Sequence, residues 1–215
     1  PGAISVLAIS EKGNLFNAPE TYMNKIAVGK DVPFDATDLD YPIKKNISNI
    51  AEAKNKNINE LTVCMLDRPR HKEIIEELKS LNVNLKLISD GDICGALLVT
   101  NNKYNTDLFL GIGGGPEGVI SAAALDAYGC KFQGRFLFET DQDKARAKKM
   151  GISDLNKKYE LNEIVKGDSI FCATGITSTE MVAAIKKEKT KFITETLVTH
   201  KESSIEIIKS EEAIA

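Results

Sequence analysis

The feature that most limits what this chain can fold into is an alternation of strand-length and helix-length apolar patterns beginning near residue 61. Residues 61–66 form a short apolar run, and Ile74, Ile75, Leu78 and Leu81 then recur at helical spacing. Residues 85–89 are strand-like and precede a helix from about Ile93, and a strand at 108–112 leads to an apolar helix over 119–127. A helix around 140–150 and a strand at 169–173 continue the rhythm. Such alternation predicts an α/β fold on a largely parallel sheet with helices on both faces. The flanks depart from it. The chain opens in an apolar strand to about Ser10, and Glu11-Lys12-Gly13-Asn14 predicts a hairpin turn, because Gly and Asn tolerate positive φ. Residues 30–42 carry Pro33, Pro42 and several aspartates, which predicts a domain boundary, and helical spacing starts at Ile43. Residues 192–200 and 204–209 flank a polar turn and predict a terminal β-hairpin. The expected organisation is a first unit over 1–40, an α/β unit over 41–190 and a hairpin over 191–215.

In an open parallel sheet, ligands bind beyond the carboxyl ends of the strands. Three successive strand ends here are rich in charge and glycine: Asp67-Arg68-Pro69-Arg70-His71, Asp90-Gly91-Asp92, and Gly111-Ile112-Gly113-Gly114-Gly115-Pro116-Glu117-Gly118. Parallel strands would open all three on one edge. Only four of the 28 basic residues are arginine, and two of those are Arg68 and Arg70. A guanidinium offers a planar fork of donors that grips phosphate bidentately, which lysine cannot copy. His71 could donate beside them; the bland alternative is a solvated helix start capped by Asp67. Asp90 and Asp92 suit a hard cation or sugar hydroxyls, although Asp-Gly is also a common turn dipeptide. The glycine run lacks the Gly-Lys-Ser/Thr of a P-loop, and Pro116 spoils a dinucleotide fingerprint. A glycine turn leading into a helix, with Pro116 at its first position, remains. Free amides there suit an anion, and Glu117 in the first turn would project a carboxylate to the same mouth. Tyr22 and Lys25, near the start, could also reach a phosphate or simply lie on a surface.

Composition narrows the partners. With 215 residues, a net charge of −3 and no basic tract, the chain is not expected to bind nucleic acid. No run approaches the ~18 apolar residues of a membrane span, and no leader is evident, so a soluble, cytoplasmic protein is expected. Cys64, Cys94, Cys130 and Cys172 form no CxxC pair and are expected as buried free thiols.

Taken together in this order, Tyr22-Met23-Asn24-Lys25-Ile26-Ala27-Val28-Gly29, the two charged strand ends, the glycine run with Glu117, and Phe171-Cys172-Ala173-Thr174-Gly175-Ile176-Thr177 resemble the class II fructose-1,6-bisphosphatases. The resemblance covers nearly the whole chain. It implies the lithium-sensitive, metal-dependent sugar-phosphatase fold: a remnant of the first α/β domain and a complete layered α/β/α second domain. It also implies hydrolysis of the 1-phosphate of fructose 1,6-bisphosphate in gluconeogenesis with Mn²⁺ or Mg²⁺, cleavage of sedoheptulose 1,7-bisphosphate by some members, and self-association. Carried over residue by residue, Glu117 becomes a metal ligand, and Tyr22, Arg68, Pro69, Arg70, Asp90, Gly91, Asp92 and Gly114 become substrate contacts. The aspartates would then bind sugar hydroxyls rather than metal. The family's other metal carboxylates and its catalytic threonine lie upstream, partly in an Asp-Pro-x-Asp-Gly-Thr stretch that does not occur here. The chain begins at Pro1 almost within a strand, so it is expected to be a fragment that binds metal poorly, with the edge of its first strand exposed. The alternative function is a non-catalytic phospho-sugar binder.

Overall fold

The computed structural model describes residues 2–202 and 205–214, in which two sheets share one helical layer. In chain order the elements are β1 (Ile4–Ser10), β2 (Tyr22–Val28), α1 (Ile43–Ala53), β3 (Thr62–Leu66), α2 (Lys72–Ser80), β4 (Asn84–Ile88), α3 (Asp92–Leu97), β5 (Leu108–Gly114) and α4 (Gly115–Ala127). There follow β6 (Lys131–Leu137), α5 (Asp141–Lys149), β7 (Lys158–Glu160), α6 (Leu161–Ile164), β8 (Ser169–Gly175), β9 (Lys186–Lys187), β10 (Lys191–His200) and β11 (Ile205–Ala213).

The larger sheet has six strands in the order β4-β3-β5-β2-β6-β7. It is mixed rather than largely parallel: β3 runs parallel to β4 and β5, while β2 is antiparallel to both β5 and β6, and β6 to β7. Alternation along each strand sends side chains to two cores. Ile26, Val28, Val63, Met65, Leu108 and Leu110 pack against Ile47 and Ile50 of α1 and Ile75 and Leu78 of α2. Met23, Ala27, Cys64, Phe109, Phe132 and Phe136 pack against Ile93, Ala96 and Leu97 of α3 and Val119 and residues 122–125 of α4. Helices thus cover both faces of this sheet, as a mixed α/β fold requires.

The smaller sheet orders its strands β1-β8-β10-β11, with β9 on β10. Phe171, Ala173 and Leu197 join the same core as α4 from the opposite side. This sandwiching explains why α4 is buried on nearly every side beyond its first turn, since a helix between two sheets has little solvent face. The sheets cut across the expected units. β2, from the segment 1–40, is an inner strand of the six-stranded sheet, and β8, from 41–190, joins β1 in the other. The turn after Ser10 forms, with Gly13 at φ +91, but β1 and β2 lie in different sheets and make no hairpin. The terminal hairpin forms between β10 and β11, with Ser204 of its expected second arm outside the described residues. Among the described residues β1 is an edge strand paired only to β8, and Leu7 and Ile9 on its outer face are 51% and 53% exposed. Of the four free thiols, Cys64 and Cys130 are buried as expected, whereas Cys94 and Cys172 are only partly covered.

Candidate functional site

Because β3, β4 and β5 are parallel neighbours, their carboxyl ends open on one edge, and a cleft of about 470 Å³ lies there. Its lining includes Arg68 and Arg70 from the β3 end, Asp90, Gly91 and Asp92 from the β4 end, and Gly113, Gly114 and Glu117 from the junction of β5 and α4. The opposite wall is β1 with Gly2, Ala3, Ile4 and Val6. The fifth motif holds that wall in place: the Ala3 amide donates to Thr177 Oγ1 at 2.8 Å, and Ile176 N–H donates to the Ala3 carbonyl at 2.9 Å.

Each charged group is set by local structure. Pro69 opens a single 3₁₀ turn, Pro69–His71, that carries Arg70 and directly follows Arg68; Pro69 itself is exposed and does not line the cleft. Arg70 Nε donates to the Ile112 carbonyl at 2.9 Å, and its guanidinium lies 4.8 Å from the centre of the Tyr22 ring. One edge of the fork is therefore fixed and the rest is left for a ligand. Tyr22 acts as the shelf for Arg70 and lines an adjoining cleft of about 460 Å³ with Gly114 and Glu117. Arg68 faces the exposed Asp90 carboxylate at 3.9 Å, a loose pair in water. Gly91 caps α3 at φ +90, a conformation that brings Asp90 and Asp92 to the same mouth.

Asp92 differs from Asp90. Its side chain is only 10% exposed, and it accepts a hydrogen bond through Oδ2 from the fully buried Lys25 ammonium. Lys25 Nζ also donates to the Gly114 carbonyl at 2.8 Å. Burial holds the Lys25 pKa below the ordinary lysine value, with Asp92 opposing that shift. Asp92 Oδ1 is buried and has no hydrogen-bond partner among the described residues.

Three expectations change at this edge. His71 does not face the cleft: it is fully buried, with Nδ1 bonded to the Leu66 carbonyl at 2.7 Å and Nε2 accepting from the Ile112 amide at 2.7 Å. The glycine run is not a turn. Gly111, Gly113 and Gly114 finish β5, and Gly115 begins α4 without a loop. The Gly115 amide is taken by the Thr21 carbonyl at 2.7 Å and Pro116 has none, so two of the first-turn amides are not open to an anion. A dinucleotide reading loses its phosphate loop for the same reason. Lys25 is buried rather than at a surface, and its stretch is an inner strand; a lysine flanked by Ile26, Ala27 and Val28 was the available signal.

The donor set decides how far a metal can be placed. Glu117 is exposed in the first turn of α4 between the two clefts. Among the described residues no group of three His, Cys, Asp or Glu side chains is arranged to hold a metal ion. Asp92, the near carboxylate, is already engaged by an ammonium. These residues alone do not fit a divalent metal centre. Among the described residues, too, no helix is long and apolar enough to cross a membrane.

Comparison with known proteins adds to this geometry. A profile of the bacterial fructose-1,6-bisphosphatases, glpX-encoded, matches residues 1–212. A protein of Synechococcus sp. (strain JA-3-3Ab), named D-fructose 1,6-bisphosphatase class 2/sedoheptulose 1,7-bisphosphatase, is 38% identical over an alignment of 215 positions that covers 94% of this chain and 62% of that protein. A protein of the same name from Synechococcus elongatus is 37% identical over 216 residues, with the same coverage of 94% and 62%. The chain therefore spans 62% of the length of these curated relatives.

Proposed function

The chain belongs to the bacterial fructose-1,6-bisphosphatase family, and on that premise we propose that its cleft binds a sugar bisphosphate for removal of a phosphate. The substrate we assign is fructose 1,6-bisphosphate, hydrolysed at its 1-phosphate to give fructose 6-phosphate. Sedoheptulose 1,7-bisphosphate, named for the relatives, is a second candidate of the same chemistry. The observation that carries this reading is the meeting of Arg68, Arg70, Asp90, Asp92 and Glu117 around one cleft from three strand ends. Cations and carboxylates side by side suit a ligand that is anionic at its ends and hydroxylated between them. Arg70, held at Nε, presents its remaining N–H groups to a phosphate, and Arg68 can leave its loose pairing to do the same. Asp90 and Asp92 accept from sugar hydroxyls. Gly91 and Gly114 let the ligand approach backbone. In this reading Tyr22 orients Arg70, and Pro69 orders the turn.

Mn²⁺ or Mg²⁺ is the cofactor that the family reading brings with it, and Glu117 is the carboxylate we assign to it. A divalent ion supplies charge stabilisation and an activated water to phosphate hydrolysis. The described residues do not complete its coordination. The layered sheets are consistent with the lithium-sensitive phosphatase fold, and a role in gluconeogenesis, a cytoplasmic setting and self-association belong to the same proposal.

The donor set also favours a second reading, in which this chain binds phospho-sugars without turning them over. The test is phosphate release from fructose 1,6-bisphosphate with Mn²⁺ or Mg²⁺, run beside calorimetric binding of the same sugar. Metal-dependent turnover abolished by Glu117→Ala supports the phosphatase. Binding without turnover, weakened in Arg70→Ala by about 1.5–3 kcal/mol, supports the binder. Neither binding nor turnover overturns both.

A further inference from the structure

Lys25 lies beneath the cleft, outside the contacts assigned to substrate above. It sits on β2, flanked on both sides by paired strands, and none of its surface is exposed. An unpaired ammonium at such a place would be expelled or neutralised, so its partners define what it does. They are the Gly114 carbonyl, at the end of β5, and Asp92 Oδ2, at the start of α3. A compact group with three donors can reach both, tying together two of the three strand ends that make the cleft. The other Asp92 oxygen is the telling atom. Oδ1 is buried, belongs to a side chain in the cleft lining, and receives no hydrogen bond from the described residues. Carboxylate oxygens rarely stay unsatisfied when buried, because lost solvation is then uncompensated. A donor that arrives with the ligand supplies the missing bond.

We infer that Lys25 is a positioning residue for ligand recognition: by holding Asp92 through Oδ2, it keeps Oδ1 set to accept a hydroxyl of the bound sugar. This rests on the sugar-bisphosphate reading above. Lys25 acts through Asp92 and does not touch the ligand, so its effect falls on the sugar and not on phosphate, which the arginines hold.

The experiment is calorimetric titration of the chain with fructose 1,6-bisphosphate and, separately, with inorganic phosphate. The proteins are the unaltered chain, Asp92→Asn, Lys25→Met and the double variant. Lys25→Met should weaken fructose 1,6-bisphosphate about tenfold or more, the size of one hydrogen bond to a charged group. It should leave inorganic phosphate within about twofold, which a merely structural role would not do. In the Asp92→Asn background, Lys25→Met should change sugar binding no further. Unchanged sugar affinity in Lys25→Met, equal weakening of both ligands, or additive effects in the double variant would each overturn the inference. Lys25→Met leaves a buried charge alone and can fail to fold. The double variant removes both charges, and its comparison with Asp92→Asn then carries the test: equal sugar affinities support the inference, and a weaker double variant sinks it. If the unaltered chain binds no fructose 1,6-bisphosphate, the sugar-bisphosphate reading itself fails, and this one with it.

Discussion

A histidine directly after two arginines reads as a third donor to an anion, yet His71 works in the backbone's service. The Leu66 carbonyl can only accept, so Nδ1 carries the proton, and the Ile112 amide then needs Nε2 as an acceptor. The ring is thereby fixed as the neutral Nδ1–H tautomer, a staple between the end of β3 and the end of β5. Burial lowers its pKa from the ordinary 6.5, and protonation would also break the bond from Ile112. The sign follows from linkage: the unfolded chain takes up a proton more readily than the folded one, so stability rises with pH here. The contribution of His71 should be fully present above the ordinary value of 6.5 and be lost as pH falls through its lowered folded value. His71→Ala should cost about 1–3 kcal/mol at pH 8, since two buried backbone groups lose their partner. That difference should shrink on acidification. Urea unfolding of both proteins from pH 8 to pH 5 measures it, and a constant difference would contradict the staple. Nothing in the sequence distinguishes this histidine from a ligand-facing one, because the distinction depends on whether its ring lies under the turn or above it.

At the scale of elements, the passage from β5 to α4 concentrates the cleft's geometry. Two glycines there serve as floors for carboxylates. A Cβ on Gly113 would overlap the Asp92 carboxylate, and one on Gly114 would overlap the Glu117 carboxylate. The two should respond differently to alanine. Gly114 has φ −60 and ψ 141, which alanine adopts without strain, and exposed Glu117 can swing away. Gly114→Ala should therefore change stability by less than about 1 kcal/mol. Gly113→Ala pushes Asp92 off Lys25 inside the protein and should cost more than about 2 kcal/mol, because a buried pair is broken. Denaturant titration of the two variants gives the order, and equal costs would contradict this account of the floor. The same stretch shows what was legible. The apolar runs of β3 and β5 and the stripes of α1, α2 and α4 are visible in sequence because each buries a whole face. β2 and β6 are not: Lys25 interrupts the first, and Lys131, Gln133 and Arg135 give the second a polar face. Their antiparallel insertion beside β5 turns an expected parallel sheet into a mixed one. The meeting of the three charged strand ends at one edge was legible because β3, β4 and β5 are the truly parallel part. The glycine run misled in shape, since glycines chosen for close side-chain approach look like glycines chosen for a turn.

On the scale of the whole molecule, the two sheets depend on one core. Residues 122–125 of α4 share a single apolar cluster with Met23 and Phe132 of one sheet and Phe171, Ala173 and Leu197 of the other. Neither sheet can expose its inner face to water without stripping α4 of half its cover, at about 25 cal/mol for each Å² exposed. The cleft repeats this dependence, since β1 of the smaller sheet forms its wall opposite Arg68 and Asp90. Unfolding should accordingly be one transition, with far-UV circular dichroism and tyrosine fluorescence coinciding through the melt. The tyrosines suit the comparison because Tyr22 and Tyr159 lie in the six-stranded sheet, while much of the circular dichroism change reports both sheets. Ligand should move that single transition as a whole. On the proposed reading, fructose 1,6-bisphosphate at a hundredfold excess over its Kd should add about 2.7 kcal/mol, since that reading seats it in the folded cleft alone. Both probes should then rise to the same new Tm. Two separate transitions, or a ligand shift seen by fluorescence alone, would mean that the smaller sheet folds independently and that β1 is not a working wall of the cleft.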